Sequence, residues 1–186
     1  MPTVLGLTNE PHERIADMST QDVGPDNKGR LSTILQRNVA AGRAMDTQLW
    51  RALCDEPASA AAYMAQDVVV STPLIPTEDN DKHDGESPAV LVAGKDDVEA
   101  ALAKMPPLAG YKIRGTMKVV QIDLMAVATV YRVTASRRVP APPPSSSGQR
   151  RANDQIEDLE MVVHSSWRQT AGADWELCGH CAGFAE

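Results

Sequence analysis

Aromatic side chains are scarce in this sequence: Phe, Tyr and Trp make up 4% of it, with a single Phe at position 184. An interior must then be filled by Ala, Val, Leu, Ile and Met, which favours close packing of helices on a sheet. Basic residues are short as well, 18 Lys and Arg against 25 Asp and Glu, for a net charge of −7. A nucleic-acid partner needs concentrated positive charge to neutralise phosphates, so none is expected. No apolar run is long enough to cross a bilayer, and no membrane partner is expected. Met1 to Glu10 lacks the basic start and apolar stretch of a secretory signal. Cysteine is limited to Cys54, Cys178 and Cys181, an odd number without a framework of spacings. Free thiols in a reducing compartment account for them most simply, which makes the cytosol the expected location, with the nucleus also open.

What is present is a globular pattern. Apolar residues form 42% of 186, enough for one cored domain. Residues 1–28 hold Pro2, Pro11 and Pro25 without sustained periodicity and read as a flexible arm, which leaves 29–186 as the domain. Leu31, Ile34, Leu35, Val39, Gly42, Met45, Leu49, Ala52 and Leu53 recur at helical spacing, predicting an amphipathic helix to about Cys54. Pro57 suits the first turn of a second helix, running to about Met64. Val68-Val69-Val70 reads as a strand stopped at Pro73. Thr77 to Pro88 reads as an acidic loop, and a third helix follows Gly94 and closes at Pro106. Four strands come last: Tyr111–Ile122 with Met125–Ser136, and Leu159–Gln169 with Trp175–Cys181 turning around Ala171-Gly172. A Pro- and Ser-rich loop insertion, 138–154, separates the two hairpins. Helices first and antiparallel strands last predict an α+β fold, a curved antiparallel sheet covered by helices.

Three stretches in this order carry a family resemblance. Tyr63-Met64-Ala65-Gln66-Asp67-Val68-Val69-Val70-Ser71-Thr72-Pro73 resembles a junction from second helix to first strand. Ala126-Val127-Ala128-Thr129-Val130-Tyr131-Arg132-Val133 resembles a central strand. Ser166-Trp167-Arg168-Gln169, with Gly172 and Trp175-Glu176-Leu177, resembles a terminal hairpin with paired tryptophans. Together they resemble the nuclear-transport-factor-2-like superfamily, the cystatin-like cone of ketosteroid isomerases and SnoaL-like proteins. The resemblance implies a cone with one open end, a pocket between helices and sheet, and often a homodimer through the outer sheet face. It does not fix a function. Ketosteroid isomerases carry a general-base Asp just before the Pro of the first strand. Thr72 occupies that position here, and its hydroxyl cannot take a proton near neutral pH. Their oxyanion-stabilising Tyr lies on the first helix, where this chain offers Gln48, Leu49 and Trp50. Both departures argue against isomerase chemistry of that kind.

The remaining candidates are weighed residue by residue. Cys178-Gly179-His180-Cys181 resembles a disulfide-isomerase motif, but it ends a strand pattern where a helix is required. By alternation Cys178 and His180 share one face with Cys181 opposite, and His164 could lie across from Cys178 or His180. That cluster is the best prospect for a polar pocket floor, though zinc would lack ligands, so no metal or cofactor is expected. Asp67, at the helix–strand junction, is either a partly buried base or an acceptor of backbone N–H bonds. Trp50, Tyr63, Thr72, Tyr131 and Trp167 are the candidate pocket residues. Arg137, Pro140 and Pro143 match a short and common polyproline-recognition pattern, which a hairpin insertion that merely tolerates Pro explains. The acidic loop fails as an EF-hand because Lys82 falls at a ligand position. Two functions follow: a non-enzymatic cone that binds a small apolar molecule or a second copy of itself, or a SnoaL-like isomerase, cyclase or dehydratase using His164 or His180 with Asp67.

Overall fold

The apolar stripe expected from Leu31 becomes the inward face of α1, Pro25–Asp55, only in its later part, from Gly42 to Leu53, while Leu31 and Leu35 are exposed, in a computed structural model that describes residues 25–76, 89–139, 155–170 and 172–185. The helix starts inside the expected arm. The rest of that arm, the acidic loop and residues 140–154 lie outside the described residues. Pro57–Tyr63 forms a single 3-10 helix where the sequence pattern predicts an α-helix to about Met64. The physical reason is competition: the sheet already claims Met64, which pairs with Leu177, and leaves a seven-residue segment suited to the tighter spiral.

The rest of the chain runs β1 (Met64–Thr72), β2 (Val90–Ala93), α2 (Lys95–Leu102), β3 (Gly110–Asp123), β4 (Ala126–Val139), β5 (Gln155–Gln169) and β6 (Trp175–Phe184). All six strands join one sheet in the order β2-β1-β6-β5-β4-β3. Neighbours are antiparallel except β1 and β6, which run parallel. β2 has no counterpart in the sequence reading; four residues at a sheet edge give too short a pattern to recognise. The fold is the expected α+β arrangement, a curved sheet with helices on its inner face.

Side chains alternate cleanly along β5: Leu159, Met161, Val163, Ser165 and Trp167 are buried, while Glu160, Val162 and His164 are exposed. The matching inward set on β4 is Val127, Thr129, Tyr131, Val133 and Ala135. α1 crosses these strands most closely at Gly42. A Cβ there would stand 3.0 Å from Val127 Cγ2 and 3.4 Å from Val119 Cγ1. Gly42→Val is therefore expected to cost about 2 kcal/mol or more through overpacking, with Gly42→Ala much milder because better helix propensity offsets the squeeze. Urea midpoints at unchanged slope test this.

Candidate functional site

Four residues spaced four apart on α1, namely Asn38, Gly42, Asp46 and Trp50, form one line facing the sheet. Asp46 has no exposed surface. Its Oδ2 accepts the Thr129 hydroxyl, and Oδ1 lies 3.4 Å from the Trp167 indole N–H. The Ser165 and Tyr131 hydroxyls also favour its ionised form, but burial outweighs them and the carboxyl is raised above the usual carboxylate range. Trp50 Nε1 donates to Tyr131 Oη at 2.7 Å. Burial, then the Asp46 charge, pushes the Tyr131 phenol up as well.

β6 reaches this cluster through a defect in its own pairing. Trp167 pairs with Leu177 but Ser166 pairs with Gly179, so Cys178 is an extra residue, a β-bulge. Leu177 and His180, three apart, therefore both point inward. This corrects the expected alternation: Cys178 and His180 do not share a face. His180 is buried, and its Nδ1 lies 3.1 Å from Ser165 Oγ. Burial chiefly, then the charge of His164, pushes its imidazole down to about 4, so the ring is neutral near pH 7. If Ser165 gives its one proton to Asp46, His180 must donate through Nδ1. Nε2, which has no partner among the described residues, is then left as an acceptor.

The ring of His180 also forms part of the wall of a cavity of about 20 Å³, space for about one water molecule. Leu49, Leu53, Met64, Val70, Leu102 and Met105 supply apolar walls, and Thr72 is the other polar group there. Trp50 meets the His180 ring edge-on at 6.5 Å and stacks on Tyr111 at 5.8 Å.

The residues singled out from sequence scatter. Thr72 and His180 line the cavity. Trp50, Tyr131 and Trp167 are buried in the core behind it, and Tyr63 packs half-buried against that core. His164 is exposed on the outer face of the sheet, where it pairs with Cys181 and with neither Cys178 nor His180. Asp67 also points outward, because Val68 and Val70 take the inward positions of β1. It forms a two-pronged ion pair with Arg168, at 3.0 and 2.5 Å, which holds its carboxyl below the usual range. The proposed meeting of His164, His180 and Asp67 therefore does not occur. Arg137 pairs with Glu157 on the neighbouring strand at 2.5 Å, and Pro140 and Pro143 lie outside the described residues. Among the described residues no three His, Cys, Asp or Glu side chains converge as a metal site. Nor does any helix among them have the length and apolarity to cross a membrane.

Comparison with solved structures decides the fold. A candidate scytalone dehydratase from Novosphingobium aromaticivorans superposes with a TM-score of 0.60 at 13% identity, covering 83% of this chain and 89% of the other. A candidate dehydratase of the nuclear-transport-factor-2-like family from Streptomyces avermitilis gives 0.56 at 14%, covering 81% and 97%. The chain has the nuclear-transport-factor-2-like cone fold. A ketosteroid isomerase-like protein from Erwinia carotovora atroseptica shares this cone with a TM-score of 0.51 at 16% identity, covering 80% and 96%. No family model and no curated protein matches the chain. Identities this low carry the cone architecture alone. The Asp46–Ser165–His180 cluster is a property of this chain's own residues.

Proposed function

We propose that this cone binds a small, mainly apolar molecule bearing one hydroxyl or N–H group, which donates to His180. The observation that carries the reading is an apolar cavity with one neutral imidazole in its wall, its Nε2 unpartnered among the described residues. The cavity has space for about one water, so a larger molecule enters only as wall residues move aside. Met64 and Met105, unbranched and adaptable, are the side chains suited to yield. A second copy packed on the outer sheet face belongs to the same reading, supported by Val69, Val130 and Val162 at 42, 41 and 40% exposure there. A reducing location such as the cytosol suits its free thiols.

Native mass measurement of purified protein, with naphthalene-sulfonate fluorescence as a probe of apolar binding, tests the pocket. A retained or bound molecule is expected. His180→Leu should weaken it about tenfold, the worth of one hydrogen bond; Leu74 also lines the cavity, and Leu74→Trp, which fills it, should abolish binding. If nothing is retained and the probe binds the Leu74→Trp variant equally well, the reading fails.

One observation favours a second reading. Ser165 Oγ lies 3.1 Å from His180 Nδ1 and its hydroxyl favours the ionised form of Asp46, and a polar set of this kind lets an imidazole act as a general base in an elimination or isomerisation. Chemical conversion of the retained molecule by the native protein, lost in His180→Gln, would replace binding with catalysis.

A further inference from the structure

The two middle strands of the sheet are β6 and β5, and two metal-binding side chains stand side by side on their outer face. His164 and Cys181 are direct cross-strand partners, both exposed. Across the same row lie Lys118 on β3, Val130 on β4, Ser71 on β1 and Leu91 on β2, which places the pair at the centre of the row. One adjoining row is Val120, Ala128, Ser166, Gly179, Val69 and Ala93, without a charge; the other is Arg114, Arg132, Val162 and Gly183. Along β6, Cys181 has Gly179 and Gly183 as its neighbours on that face, and a Cβ at Gly183 would meet nothing within 4 Å. The thiol therefore stands clear in a shallow recess.

This inference rests on the proposed pairing of two copies through the outer face. β3, β4 and β5 run 14, 14 and 15 residues and β6 runs 10. At about 3.4 Å per residue and about 4.8 Å between strands, the face of these four spans roughly 800 Å². That matches the area of about 800 Å² that each partner contributes to a standard stable interface. The Asp67–Arg168 ion pair lies toward one end of this face, and Arg114, paired with Glu160, stands beside Arg132 in the row next to His164 and Cys181, so the uncharged part of the face lies on the other side of the pair. In a face-to-face pair the two-fold axis lies between the sheets. If it passes through the sheet centre, the axis brings His164 and Cys181 of one copy against the same two residues of the other, whichever way it runs along the face. The glycine recess on β6 lets the backbones approach closely enough for ligand bonds of about 2.0–2.3 Å.

We infer that His164 and Cys181 form half of a Cys2His2 zinc site completed by a second copy of the chain. Two thiolates and two imidazoles are the donor set of a closed, four-coordinate structural zinc. Each thiol gives up its proton on binding, so the site fills less readily as pH falls.

Tag-free full-length protein, purified without chelator, provides the test through zinc content and native mass. The expected result is one zinc per two chains, a dimer that a strong chelator loosens at least tenfold, and the intense visible absorption of tetrahedral thiolate-bound Co2+ after exchange. Cys181→Ser and His164→Ala should each lose the metal, whereas Cys178→Ser, in the bulge three residues away, should keep it. A dimer without zinc, a disulfide-linked dimer without zinc, or zinc retained by Cys181→Ser overturns the metal site and leaves the pairing standing. A monomer at all concentrations overturns both.

Discussion

Replacing Asp46 by alanine is expected to cost about 3–5 kcal/mol, while Asp46→Asn stays within about 1 kcal/mol of the parent at pH 7. Alanine removes the acceptor shared by Thr129 and Trp167, leaves buried donors without partners, and opens a void under α1. Asparagine keeps a carbonyl oxygen for Trp167, and its amide can donate to the Thr129 hydroxyl once that rotates. It also carries no charge to desolvate. The pH dependence separates the two roles of the carboxylate. Its folded-state pKa is raised, so the native chain holds this proton more tightly than the unfolded chain. That contribution is fully present below the unfolded value and is lost as pH rises through the folded one. Urea midpoints against pH should show this fall in the parent and lack it in Asp46→Asn. Equal stability of the alanine and asparagine variants would mean that the hydrogen bonds at Asp46 contribute nothing.

His180 acts in the opposite sense. Its imidazole is depressed from 6.5 to about 4, so on acidification the unfolded chain takes up the proton first. Native stability is expected to drop by about 3 kcal/mol between those two values, at about 1.4 kcal/mol per pH unit. His180→Gln should lack the drop. Because Asp46 gains stability while His180 loses it, the parent profile is partly cancelled. The comparison is therefore cleanest in an Asp46→Asn background, where the histidine contribution stands alone. A profile unchanged by His180→Gln in that background would show that the ring is solvated.

The layer arrangement was legible because it depends on periodicity. The three- and four-residue spacing through Gly42, Leu49, Ala52 and Leu53 and the alternation in Leu159, Met161 and Val163 are local signals that the tertiary structure reinforces, whereas Leu31 and Leu35 carry the same spacing on an exposed stretch of α1. The site was legible only as an interruption of those signals. Asn38 and Asp46 break the apolar stripe of α1 at positions that continue Gly42 and Trp50, and Ser165 breaks the inward row of β5. A polar residue on a buried face must find partners, and these have them, apart from Asn38 Oδ1, which is buried without one. The outward turn of Asp67 and the pairing of His164 with Cys181 were not legible. Both depend on strand register, which is set by pairing across the sheet and by a bulge that no local pattern announces.

That bulge gives β6 something like a reading frame. Upstream of Cys178 one set of residues looks into the cone; downstream the assignment has shifted by one, and it is the shifted set that delivers an imidazole to the cavity and a thiol to the exterior. Were the same residues paired in strict alternation, with no bulge to absorb Cys178, His180 would face the outside and Cys181 the cavity, exchanging the chemistry of the two surfaces without altering one side chain.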